Sequence, residues 1–107
     1  EYNIIIKLDI EGNEMNAIRG AKNLLKKYSP MIIIEFSKFI TFEDYKILNE
    51  FIEENDYIIY DTSYKEINLE IVLKRLKELP NSMFGVGNNF LIKKNSNYQN
   101  IIKSILN

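Results

Sequence analysis

The sequence predicts an α/β domain built on parallel strands, and three observations carry that expectation. The apolar runs Ile4 to Ile10 and Met31 to Phe36 are short, β-branched and nearly unbroken, as strands covered on both faces are. An amphipathic helical stretch joins them, which makes a βαβ unit, and such crossovers are almost always right-handed. Further helical and strand patterns then alternate to the end of the 107 residues, a length that fits one domain.

Each element follows from its own residues. Ile4-Ile5-Ile6-Lys7-Leu8-Asp9-Ile10 is the first strand, and Glu11-Gly12-Asn13 turns the chain, with Asn13 a helix cap and Glu14 at the positive helix end. One helix is expected next, because Ala17, Ile18, Ala21, Leu24, Leu25 and Tyr28 fall on a single stripe. Within it Gly20 is expected to allow close packing on the sheet. Lys26 and Lys27 suit its C-terminal end, and Pro30 stops it. After the second strand, Thr41 and Asp44 form a capping box for a helix whose apolar face is Tyr45, Leu48, Phe51 and Ile52. Tyr57 to Asp61 is a third strand. Asn68 to Leu79 is a short helix closed by Pro80, and Asn81 to Asn89, carrying Gly85 and Gly87, is expected to be a flexible loop. Phe90-Leu91-Ile92 forms the last strand and the tail from Tyr98 a terminal helix.

Composition removes whole classes of chemistry. There is no histidine and no cysteine, so a disulfide framework, a thiolate nucleophile, a Ser-His-Asp triad and the usual nitrogen and sulfur zinc site are excluded within this chain. The net charge of −1 with dispersed lysines gives no electrostatic reason to bind nucleic acid or anionic lipid. No apolar stretch approaches the roughly 20 residues that span a bilayer, so no membrane insertion is expected and a soluble, cytoplasmic protein is. The chain opens on Glu1 and enters an apolar strand at once. A strand of that kind would be an exposed pairing template at a sheet edge, so further strands or a second protomer are expected beside it.

In open α/β sheets ligands bind beyond the carboxyl ends of parallel strands. That rule singles out Asp9 to Glu14 and Glu35 to Lys38. Alternation puts Lys7, Asp9 and Glu11 on one face of the first strand, which is costly on a buried strand unless the charges pair or serve a ligand. Lys7 can simply pair with Asp9, Glu11 or Glu35. Asp9 and Glu35, at the ends of adjacent strands, can flank one bound molecule as general base or hydrogen-bond acceptor. Gly85-Val86-Gly87 lacks the strand-then-helix context of a dinucleotide loop. Tyr57, Tyr60, Tyr64 and Phe84 are expected to finish the core, with pocket lining as the alternative, and Lys22, Lys26 and Lys27 to be a solvated helix face.

The run Lys7-Leu8-Asp9-Ile10-Glu11-Gly12-Asn13-Glu14, then Ala17-Ile18-Arg19-Gly20-Ala21, Leu24-Leu25, Pro30 and Ile32-Ile33-Ile34-Glu35, resembles the FkbM family of S-adenosylmethionine-dependent methyltransferases. Asn55-Asp56-Tyr57 is similar to the family's Gly-Tyr step, with Asp56 in place of the glycine. The resemblance implies the C-terminal half of a class I, Rossmann-like methyltransferase sheet, from its fourth strand onward over residues 1–107, with helices on both faces and an antiparallel last strand. The cofactor-binding N-terminal half would lie outside this sequence, leaving the fragment alone inactive. The resemblance further implies S-adenosylmethionine as cofactor, held here by Asp9, Ile10 and Glu11, and Asp9 and Glu35 as the catalytic acids. The acceptor would be a sugar, lipid or small-metabolite hydroxyl, chosen through the Tyr60 to Asn89 segment. The alternative from another class is a non-catalytic α/β module that binds a partner.

Overall fold

A computed structural model of the protein describes residues 4–9 and 14–106. Its elements are β1 (Ile5–Asp9), α1 (Glu14–Gly20), α2 (Lys22–Tyr28), β2 (Met31–Ser37), α3 (Phe42–Glu54), β3 (Tyr57–Tyr60), β4 (Glu66–Ile67), α4 (Leu69–Lys77), β5 (Gly85–Lys93) and α5 (Asn97–Leu106). The strands form one five-stranded sheet in the order β1-β2-β5-β3-β4. β1 and β2 are parallel. β5, the last strand, inserts between β2 and β3 and runs antiparallel to both, so the antiparallel last strand is present.

Alternation along β2 divides the molecule. Ile32, Ile34 and Phe36 are fully buried in the main core with Leu25 of α2, Leu48 and Phe51 of α3 and Val72 of α4. Met31 points to the opposite face, in a smaller cluster with Tyr60, Ile92 and Ile102 of α5. Helices therefore cover both faces, but unequally, and α5 covers only the end of its face that carries Met31.

Several boundaries obey the local chemistry. Thr41 and Asp44 form the expected capping box at α3, with reciprocal bonds of 3.1 and 3.2 Å. Asn68 caps α4 by accepting from the Ile71 amide at 2.9 Å. Asp56 has φ 54°, the left-handed region that glycine enters freely and Asp more readily than most residues. The position where the family pattern has glycine is thus one whose backbone favours it, and Asp56 meets that demand.

Four expectations are corrected. The single helix after β1 is two, α1 and α2, hinged at Ala21 with φ −96° and ψ 11°; Leu24 is exposed, so the stripe is narrower than its spacing suggests. Gly20 meets no atom within 4 Å of where a Cβ would stand, and so mediates no close packing. Among the described residues β1 lies at one edge of the sheet, with Ile5 55 % exposed and Lys7 exposed, so here it is not covered on both faces and Lys7 carries no burial cost. Finally, Gly85 to Asn89 is not a loop but the first half of β5. Gly85 pairs with Ser37, and a Cβ there would lie 2.4 Å from the Phe36 carbonyl oxygen. The glycine is read correctly only as a close approach of two backbones, not as flexibility. The two-residue strand β4 is also invisible in the sequence pattern, being too short to show a period.

Candidate functional site

The parallel register of β1 and β2 sets Asp9 directly opposite Glu35. On the other side of β2, Glu35 pairs with Asn88 of β5. Asp9, Glu35 and Asn88 therefore stand in one row across three neighbouring strands, whose spacing is about 4.8 Å per step. The row lies at the carboxyl ends of the two parallel strands, where ligands of open α/β sheets bind.

Glu35 is exposed, and its carboxylate takes no ion pair or hydrogen bond among the described residues. It shares the sheet face of Met31, but α5 does not reach it, so the face is open at this end. Asn88 is exposed beside it, whereas Asn89, one residue on, is buried and turns its side-chain amide to the Gly87 carbonyl at 2.9 Å. Ile10 and Glu11, expected to hold a cofactor, lie outside the described residues, as do Gly12 and Asn13. Asn88 was not singled out by sequence reasoning, because the neighbouring glycines read as loop.

The family model of the methyltransferase FkbM domain matches residues 4–59, which spans β1, β2 and the whole Asp9–Glu35 pairing. The chain belongs to the FkbM methyltransferase family. Searches of curated proteins and of solved structures return no match.

Other acids of this FkbM-family chain have structural roles. Asp61, just after β3, is 8 % exposed and accepts from the Ser63 amide at 2.9 Å, the Lys65 amide at 3.0 Å and the Arg75 guanidinium at 3.1 Å. Burial alone would raise its carboxyl, but the Lys65, Arg75 and Ser63 donors more than offset this and hold it below the ordinary carboxylate range. Among the aromatic residues, Tyr57 and Tyr60 are core: the Tyr57 hydroxyl donates to the Pro30 carbonyl at 2.7 Å, and Tyr60 accepts from Gln99 at 3.2 Å. Desolvation raises the Tyr57 hydroxyl well above its usual range, so it stays a donor. Tyr64 and Phe84 are exposed instead, against the expectation that they finish the core. Lys22, Lys26 and Lys27 are a solvated face, with Lys22 paired to Glu54 at 2.9 Å.

Among the described residues no three Asp or Glu gather to hold a metal ion, and no helix is long and apolar enough to cross a membrane.

Proposed function

We propose that this chain is the acceptor-side part of an S-adenosylmethionine-dependent O-methyltransferase, with Asp9 and Glu35 as its working acids. The observation that carries the proposal is the register that sets these two residues side by side at the ends of parallel strands, inside the segment matched by the family. The order of β1, β2, β5 and β3, with β5 reversed, supports reading them as the fourth, fifth, seventh and sixth strands of a class I sheet. The free edge of β1 supports a sheet that continues beyond it, either through strands carrying the rest of the cofactor site or through a second protomer.

The donor set suits this chemistry. Carboxylate and amide oxygens in one row fit an ammonium group or a hydroxyl, and they disfavour a phosphate. Asp9, with Ile10 and Glu11, would hold S-adenosylmethionine, which when bound would supply an electrophilic methyl on a sulfonium. Alkylating a hydroxyl oxygen also requires that oxygen to lose its proton. Glu35, exposed and without a partner among the described residues, would accept the proton. Asp9 orients the hydroxyl, and Asn88 offers a further acceptor and two donors to a neighbouring substrate oxygen. Alignment of oxygen and methyl supplies the remaining rate advantage.

The test is methyl transfer by the full-length protein carrying Asp9→Asn or Glu35→Gln. Each is expected to lower turnover by about 10²- to 10⁴-fold, the usual weight of a positioned general base. Unchanged turnover and unchanged cofactor affinity in Asp9→Asn would remove that residue from the mechanism.

A further inference from the structure

Among the described residues four non-glycine positions have positive φ: Ser29, Asp56, Tyr64 and Asn95. Asp56 and Asn95 are of the types that enter the left-handed region most readily after glycine, and Ser29 is a small residue at the end of α2, where that conformation is common. Tyr64, at φ 59°, differs from all three, because a bulky side chain is rarely held there. Such strain persists only where the surroundings over-determine it, and it gathers at functional positions. Here the clamp is visible on both sides of the residue. The Tyr64 amide donates to the Asp61 carbonyl and the Asp61 amide to the Lys65 carbonyl, each at 2.9 Å. Asp61 Oδ1 accepts from the amides of Ser63 and Lys65, which flank Tyr64, while Arg75 holds Asp61 Oδ2.

The clamped turn delivers the Tyr64 ring to the sheet face of the acid row. It stacks on Phe90, with centroids 5.9 Å apart and planes 17° from parallel. Phe90 pairs with Ile33 across β5 and β2, and Asn88 pairs with Glu35. Side chains two residues apart on a strand share a face, so Phe90 and Glu35 are diagonal neighbours on one face, about 7–8 Å apart and within reach of an aromatic ring. The stack occupies one side of the Tyr64 ring, yet the residue stays 39 % exposed, so burial alone does not account for a strained tyrosine. We propose that Tyr64 is a specificity-determining residue of the methyl transfer: it is the wall against which the acceptor lays an apolar face while its hydroxyl meets Glu35. This deepens, and rests on, the methyltransferase reading above. The two surfaces make separate demands on one molecule, since the ring takes flat apolar surface and the carboxylate takes a hydroxyl proton. A molecule held by its hydroxyl alone keeps its rotational freedom; contact with the wall removes that freedom and fixes the oxygen that receives the methyl group. Glycine or asparagine would relax the turn, so tyrosine here gives up some stability for a fixed contact.

The test titrates the full-length protein with 2-phenylethanol and with 1-propanol, which carry the same primary hydroxyl with and without a flat apolar ring. Aromatic-ring NMR signals of Tyr64 and Phe90 report binding. 2-Phenylethanol is expected to shift both rings and 1-propanol neither. Tyr64→Asn is expected to weaken 2-phenylethanol binding about fivefold, while its urea midpoint equals or exceeds that of the parent because asparagine relaxes the backbone. Tyr64→Phe, which keeps the ring, is expected to keep the affinity. Absence of shifts with 2-phenylethanol overturns the proposal. So does a Tyr64→Asn variant with a lowered urea midpoint and unchanged affinity, since the ring would then be no more than a cover for Phe90. The methyltransferase reading fails separately: 2-phenylethanol held through Tyr64 by a full-length protein that binds no S-adenosylmethionine would leave the wall standing and remove the reaction.

Discussion

Glu35 and Asp61 are acids at comparable places on two strands that run in the same direction, since β2 and β3 are both antiparallel to β5. They have opposite fates. Asp61 is buried and saturated by two amides and a guanidinium from its own hairpin and α4. Glu35 is exposed and has no partner among the described residues. A carboxylate whose acceptor sites are filled locally holds a fold together, whereas one left open at a strand end is available to a ligand. The difference lies in the path of the chain beyond each strand. After β3 the chain turns back within five residues to pair as β4, and that tight turn aims its amides at Asp61. After β2 the chain leaves the sheet for α3, and among the described residues no amide returns to the Glu35 carboxylate.

Substitutions should separate the two acids. The largest effect is the loss of turnover already expected of Glu35→Gln, and it should leave thermal stability within about 0.5 kcal/mol of the parent, as for exposed sites. Asp61→Ala should do the reverse. It removes the acceptor of three donors and is expected to cost about 1–3 kcal/mol in denaturant unfolding, with cofactor affinity unchanged. If Asp61→Ala abolished cofactor binding without unfolding the chain, the division of roles would be wrong.

The pH dependence carries the same contrast. The folded-state pKa of Asp61 is depressed, so its contribution is fully present above the unfolded value of about 3.9 and is lost as pH falls through the lower folded value. Stability should therefore decline below about pH 4, and Asp61→Asn should flatten that decline. An acid limb identical in the two proteins would contradict the assignment.

Smaller effects sharpen the geometry around Glu35. Gly85→Ala must push β5 from the Phe36 carbonyl; a cost of about 1–3 kcal/mol is expected, with disturbed NMR signals at Asn88 and Phe84. Thr41→Ala removes one bond of the capping box and should cost about 1 kcal/mol, with no effect on the site, because Asp44 is a capping acid and nothing more.

The sequence made the strand ends legible for a physical reason. Apolar β-branched runs end where polar residues begin, so Asp9 and Glu35 stand out without any structure, and the Thr41–Asp44 spacing is a cap signature in itself. Asn88 could not be found that way. Its strand begins at glycines whose purpose is a close backbone approach, and glycine has the same letter in a loop. Nor could Asp61 be told from Glu35, since its partners depend on a hairpin whose second strand is two residues long. Tyr64 and Phe90 come together only through the turn that follows β3, which no local period announces.

The central claim is that the paired acids of β1 and β2 serve a methyl transfer. Its most direct measurement is calorimetric titration of the full-length protein with S-adenosylmethionine, alongside the Asp9→Asn variant. The account predicts saturable binding by the parent protein, weakened about tenfold or more in Asp9→Asn by loss of a charge-assisted hydrogen bond. No heat of binding in the parent would contradict it and favour a non-catalytic partner-binding module.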